Sequence, residues 1–184
     1  MSLRVDGNRL LKTLPGLATR PTLARVREAL FNIWQGTIPG CRWLDLCAGS
    51  GAMGAEALAR GAALVVGIEQ SSRACGVIQH NWQQIAAPEQ QFRVLRGDVR
   101  SHIQQLRGQQ FDRIYFDPPY ASELYQPVIT AIATCNLLAD TGELAVEHAP
   151  RGWTLVSSEP LIVYRQKRYG NTALTFYRPQ DRGG

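Results

Sequence analysis

The sequence lacks any apolar run approaching the ~20 residues that a membrane-spanning helix needs. Its opening stretch, Met1 to Arg9, is polar and does not read as a secretion signal, so a cytoplasmic protein without a membrane partner is expected. Cysteine is sparse: Cys41, Cys47, Cys75 and Cys135 form no C-x-x-C pair and sit mostly among apolar neighbours. Reduced thiols packed as small hydrophobes are therefore expected, and no metal site. Histidine is scarcer still, and His80, His102 and His148 are read as solvated or structural rather than catalytic. Internal repeats and low-complexity stretches are missing too. A chain of 184 residues with 45% hydrophobic content folds as one globular unit with no room for a second large domain.

Charge is present but unevenly spread. Residues 1–42 carry seven Arg or Lys against two acids, residues 43–150 seven against eleven, and residues 151–184 six against two. Both ends are basic around an acidic middle, the footprint expected for a polyanionic partner.

The most informative stretch is Phe111 to Tyr120. Ile114, Tyr115 and Phe116 read as a buried strand, and Pro118 stops it at Asp117. In open α/β sheets the carboxyl ends of strands face the ligand crevice. Asp117, the stiffened backbone of Pro118 and Pro119, and the ring of Tyr120 supply a carboxylate, a fixed carbonyl and a stacking face. That set suits a flat ligand with an exocyclic NH2 group, as on a nucleobase. A stiff turn with a hydrophobic plug is the alternative that these four residues leave open.

The rest of the chain reads as strands and helices in alternation. A hairpin around Asp6-Gly7-Asn8 precedes a helix from Arg20-Pro21-Thr22 to Gly36, whose arginines Arg20, Arg25 and Arg27 lie near its start. Trp43 to Cys47 forms a strand that runs into Gly49-Ser50-Gly51-Ala52-Met53-Gly54 and a helix; Ala63 to Ile68 forms the next strand and ends in Glu69. Further strands at Phe92 to Leu95, Phe111 to Asp117 and Glu143 to Glu147 are separated by helices, the last of them over Leu124 to Leu138. The tail, Leu161 to Tyr177, reads as an antiparallel hairpin on the sheet edge. The pattern implies a Rossmann-like, doubly wound, mostly parallel sheet with an antiparallel edge hairpin and a small amino-terminal hairpin and helix extension. Residues 1–36 are expected to form that basic extension, and 37–184 the main α/β domain.

The glycines fit G-x-G-x-x-G with an acid twenty residues after Gly49, so a dinucleotide enzyme and an S-adenosylmethionine enzyme are both formally allowed. Asp45, placed for an ammonium group, Asp98, placed for an adenine amine or else capping a helix, and Asp117 favour the second. Ala48, Gly49 and Gly51 are the positions of close backbone approach, and Glu69 is the acceptor for ribose hydroxyls.

Leu44-Asp45-Leu46-Cys47-Ala48-Gly49-Ser50-Gly51 resembles motif I of class I S-adenosylmethionine-dependent methyltransferases, and Asp117-Pro118-Pro119-Tyr120 resembles motif IV of those that methylate exocyclic amines. With Arg20-Pro21-Thr22 and Arg25 to Asn32, the whole chain is similar to the bacterial 16S rRNA (guanine-N2)-methyltransferase family RsmD. The resemblance implies a seven-stranded class I sheet and S-adenosyl-L-methionine as methyl donor, with S-adenosyl-L-homocysteine as product. It also implies a substrate in 16S rRNA or the small-subunit particle, a monomer, and no metal. Arg20, Arg25, Arg27, Lys167 and Arg168 are the expected RNA contacts. Adenine-N6 methylation of DNA or RNA, and a non-catalytic RNA-binding assembly factor, are the rival readings.

Overall fold

The computed structural model describes residues 3–5, 9–13 and 21–180; the turn expected at Asp6 to Asn8, and Arg20, lie outside them. Strands β1 (Leu3–Val5) and β2 (Arg9–Leu11) pair antiparallel, and helix α1 (Pro21–Ile33) follows. Then come β3 (Arg42–Leu46), α2 (Ala52–Ala59), β4 (Leu64–Glu69), α3 (Ser72–Ile85), β5 (Gln91–Arg96), α4 (Val99–Gln105) and β6 (Phe111–Phe116). Helix α5 (Tyr125–Thr134) and strands β7 (Leu138–His148), β8 (Leu161–Tyr169) and β9 (Thr172–Pro179) complete the chain.

The main sheet has seven strands in the order β5-β4-β3-β6-β7-β9-β8. The pairs from β5 to β7 are parallel, and β9 runs antiparallel to both β7 and β8. The chain enters at β3, winds outward to β5, then returns to β6 on the other side of β3. That reversal opens a crevice at the carboxyl ends of β3 and β6.

Two apolar layers hold the sheet. On one face Val26, Leu30, Phe31 and Trp34 of α1 pack with Trp43, Ile78, Trp82 and Phe176; on the other, α4 and α5 cover Leu44, Val66, Phe116 and Val146. Phe31 stacks on Trp43 at 5.2 Å between ring centroids, and Trp34 meets the same indole edge-on at 5.5 Å. Each large side chain so buried contributes roughly 1.5–3 kcal/mol. Val5 and Leu11 join this layer, so the amino-terminal hairpin shares the sheet's core.

Two boundaries differ from the sequence reading. The helix expected to run to Leu138 ends at Thr134, where Asn136 turns left-handed at φ 52°, and Leu138 already opens β7. That strand is longer than the pattern of Glu143 to Glu147 suggested, because its first residues pair with Phe111 before the register shifts. Among the described residues no helix is long and apolar enough to cross a membrane.

Candidate active site

A cavity of about 730 Å³ opens at the switch point, lined by the ends of four neighbouring parallel strands and by β7. Cys47 and Gly49 follow β3, Glu69 ends β4, Gly97 and Asp98 follow β5, Asp117 to Tyr120 follow β6, and Glu147 comes from β7. Its wall carries four acids, Glu69, Asp98, Asp117 and Glu147, and no Lys or Arg among the described lining residues.

The three glycines of the loop do different work. Gly49 has φ +56° and no side-chain atom within 4 Å of where a Cβ would stand, so its backbone faces open space at the cavity. Gly54 instead makes room for the Trp82 indole, and Gly51 for Ile78, at 2.9 Å, and the same indole. A Cβ at Gly54 would stand 2.2 Å from the Trp82 ring, at Gly51 3.0 Å from Trp82 Nε1, and at Gly67 2.6 Å from the same ring. The indole N–H donates to the Gly51 carbonyl at 2.8 Å and locks the arrangement. Gly51 is thus a packing glycine and, unlike Gly49, is not among the residues that line the cavity. Ala48 does not line the cavity either; its N–H and carbonyl are spent on Ile68 and Gly51.

Glu69 ends β4 at the cavity wall. Its two oxygens accept the N–H groups of Gly49 at 2.9 Å and Ser71 at 2.8 Å, which ties the glycine loop to the start of α3. Each oxygen keeps a lone pair for a hydroxyl. Asp98 also lines the cavity, but it caps α4 by accepting from the N–H groups of Arg100 and Ser101. The Arg100 guanidinium holds its carboxyl below the ordinary range.

Asp45 departs from expectation. It is 1% exposed, outside the cavity lining, and accepts the Gly54 N–H at 3.1 Å. Burial pushes its carboxyl up to about 8, against the partial relief of that hydrogen bond. Its position under the loop makes it a scaffold for the glycines.

Around Asp117 the structure adds a residue that the sequence reading missed. Phe116 pairs with Val146, so the next residues, Asp117 and Glu147, stand side by side on one face. Glu147 is 1% exposed and accepts the hydroxyls of Tyr115 and, at 3.0 Å, Tyr120. The Tyr120 hydroxyl also meets Thr172 Oγ1 at 3.0 Å, fixing the ring over the cavity mouth with 42% of its surface exposed. No hydrogen bond reaches the Asp117 carboxylate from the described residues. Burial, then Glu147 and Asp45, push its carboxyl well above the ordinary range, and Glu147 is raised by burial as well. The Pro119 carbonyl accepts from Ser122 N at 2.8 Å, whereas the Pro118 carbonyl accepts no backbone N–H among the described residues. Cys47, at the same wall, has its thiol pushed up to about 12 by burial and the neighbouring acids, so it stays protonated.

Of the expected RNA contacts, Arg27 is paired inside the fold. It lies 3.4 Å from buried Glu56, which Arg60 also holds at 2.7 Å, so it serves the fold. Arg25 is exposed on α1. Lys167 and Arg168 are exposed near the carboxyl end of β8; through Leu174 and Ala173 of β9 they stand level with Glu147 and His148.

A seven-stranded sheet of this order, with a glycine loop and an acid on adjacent strands and a D-P-P-Y turn across the switch point, is the architecture of class I methyltransferases. The family described as Conserved hypothetical protein 95 is matched over residues 5–178, and the chain belongs to it. This is the RsmD family that the motifs resemble. The Ribosomal RNA small subunit methyltransferase D of Escherichia coli is 32% identical over 92% of this chain and 83% of its own. The solved structure of Escherichia coli yhhF, provisionally named a methyltransferase, matches with a TM-score of 0.83 at 28% identity, covering 98% of this chain and 99% of that one. SMU.776, another provisionally named methyltransferase, solved in complex with SAH, shares the fold alone: TM-score 0.67, 15% identity, 83% of this chain and 48% of that one.

Proposed function

We propose that this enzyme, an rRNA methyltransferase by family, transfers a methyl group from S-adenosyl-L-methionine to the exocyclic N2 of a guanine in the 16S rRNA of the small ribosomal subunit. The observation that carries the cofactor is the sign of the cavity wall: four acids and no cation among the described residues. A dinucleotide would bring a pyrophosphate against those carboxylates, whereas a sulfonium and an ammonium are attracted to them. The SAH complex of a protein with the same fold is consistent with this.

When bound, S-adenosylmethionine supplies a methyl group on a cationic sulfur. Gly49 leaves the backbone open to it, Glu69 receives the ribose hydroxyls, and Asp98 uses its remaining acceptor capacity on the adenine amine. Guanine N2 is a poor nucleophile because its lone pair is delocalised into the ring. Accepting its two N–H bonds on Asp117 and the Pro118 carbonyl turns that lone pair toward the methyl, so positioning supplies most of the rate. Tyr120, anchored through its hydroxyl, presents the stacking face for a base that has left the RNA stack.

The raised pKa of Asp117 makes it a stronger proton acceptor than an ordinary carboxylate. A cation nearby favours its ionised form, so the site gains its base as the methyl donor arrives. After transfer, Asp117 takes the proton that the methylated nitrogen sheds.

Calorimetry with S-adenosylmethionine and NAD, and incubation of the enzyme with tritiated S-adenosylmethionine and undermethylated 30S particles, free 16S rRNA or DNA, test this reading. Tighter S-adenosylmethionine than NAD binding and label in the small-subunit rRNA are expected; tighter NAD binding or label in DNA alone overturns it.

A further inference from the structure

Beside the catalytic cavity lies a second hollow of about 430 Å³, within the range of small-ligand sites. It shares Tyr120 and Ser122 with the first, so the Asp117 turn is the wall between the two. Its far side is formed by α5 and by the loop after β7, which contributes His148, Arg151, Trp153 and Leu155.

Three features mark this hollow, and of their residues only Tyr120 is already used in the chemistry above. First, it has an aromatic wall: Trp153 stacks on His148 at 3.7 Å and 14°, and Tyr125 meets Trp153 edge-on at 5.0 Å. His148 is held by Ala149 O and Thr175 Oγ1, and burial lowers its pKa, which keeps the ring a neutral support for the indole. Second, two side-chain polar atoms here, Ser122 Oγ and Trp153 Nε1, are buried without a partner among the described residues. Third, the rim is both apolar and cationic. Of the three large hydrophobic side chains exposed among the described residues, Tyr120 and Leu155 belong to this rim, with Leu155 52% exposed. Arg151, also exposed, forms no ion pair among the described residues.

We infer that this hollow is a subsite for the nucleotide adjoining the target guanosine in the RNA strand. The inference rests on the reading of the first cavity as the base pocket. Flipping the target base removes a stacking partner from its neighbour in the strand, and an aromatic wall one turn away replaces it. Arg151 is the phosphate contact of that nucleotide. Glu123, the acid on the same rim, repels phosphate and accepts base N–H groups, which sets the backbone on the Arg151 side. The subsite thus lies on the α5 side of Tyr120, while Lys167 and Arg168 flank it from the β8 side.

Irradiation of the wild-type enzyme with undermethylated 30S particles, followed by mass spectrometry of the crosslinks, tests this directly. A crosslink between residues 148–156 and the nucleotide next to the methylated guanosine is expected. Crosslinks from this segment only to a ribosomal protein overturn the subsite. In parallel, the double variant Arg151→Ala, Leu155→Ala alters only exposed side chains, and its loss should fall on KM for the particle, on the order of tenfold. Its S-adenosylmethionine affinity should match wild type, which reports an intact first cavity. Trp153→Leu should show the same KM effect. If wild type labels guanine and both variants keep wild-type KM, the subsite is wrong while the proposed reaction stands. If wild type labels no guanine, the proposed reaction itself has failed.

Discussion

Asp117 and Glu147 stand side by side at the ends of β6 and β7, and the protonation of the first, the proposed acceptor of the target amine, is tuned by the second. Two buried carboxylates so placed resist losing both protons, and Glu147 spends its acceptor capacity on Tyr115 and Tyr120. Asp117 must be ionised to accept an amine, so single-turnover rate should rise with pH as its raised pKa is passed. Glu147→Gln removes a negative neighbour, lowers the Asp117 pKa, and should move that rising limb to lower pH. A limb that stays in place or moves to higher pH contradicts the coupling.

Asp45 makes a stability prediction. Its carboxyl rises from 3.8 to about 8 on folding. Below the unfolded value both states hold the proton; above it the folded state keeps a proton that the unfolded state has lost, so stability falls as pH rises toward about 8. Asp45→Asn keeps an acceptor for the Gly54 N–H and carries no titration. Its melting temperature relative to wild type should climb between pH 5 and pH 8, roughly the window that linkage gives. A constant difference across that range would show that Asp45 is not held protonated.

The glycine loop separates packing from binding. Gly54→Ala drives a methyl into the Trp82 ring and should cost about 1–3 kcal/mol in thermal unfolding. Trp82→Phe in that background should recover part of the loss. Gly49→Ala meets no side chain; it should strain φ +56° by about 1–2 kcal/mol and weaken S-adenosylmethionine binding, with no rescue by Trp82→Phe. Equal rescue of both variants would refute the division.

The arginines divide similarly. Arg27→Ala should lower stability by about 2 kcal/mol, because it takes a charged partner from Glu56 in the interior. Replacing Lys167 and Arg168 by alanine should leave stability alone and flatten the salt dependence of RNA binding by about one unit of slope for each phosphate no longer neutralised. A full wild-type slope would make those charges a solvated face.

The features that local chemistry dictates were legible in the sequence. Pro118 ended β6 at Phe116 as steric rules require, the alternation of strands and helices gave the doubly wound sheet, and Glu69 fell at a strand end on the cavity wall. What escaped depends on contacts between distant segments. The fit to G-x-G-x-x-G was real, but Gly51 and Gly54 answer to Trp82 on the next helix, which no spacing within the loop reveals. Arg27 read as a free cation because Glu56 lies on a different helix. Glu147 was visible only as a strand residue, since its place beside Asp117 comes from the register of β6 on β7. The repeated acid on short strand ends was the one signal that could have raised it.

In the proposed reaction the Asp117 turn presents a guanine amine to the methyl donor. This is tested most directly by incubating wild type and Asp117→Ala with tritiated S-adenosylmethionine and undermethylated 30S particles, digesting the RNA, and identifying the labelled nucleoside. The predicted result is N2-methylguanosine from 16S rRNA with wild type, a rate lower by about 10² or more with the variant, and S-adenosylmethionine affinity within a few-fold of wild type. N6-methyladenosine as the product, or wild-type turnover by Asp117→Ala, would contradict it.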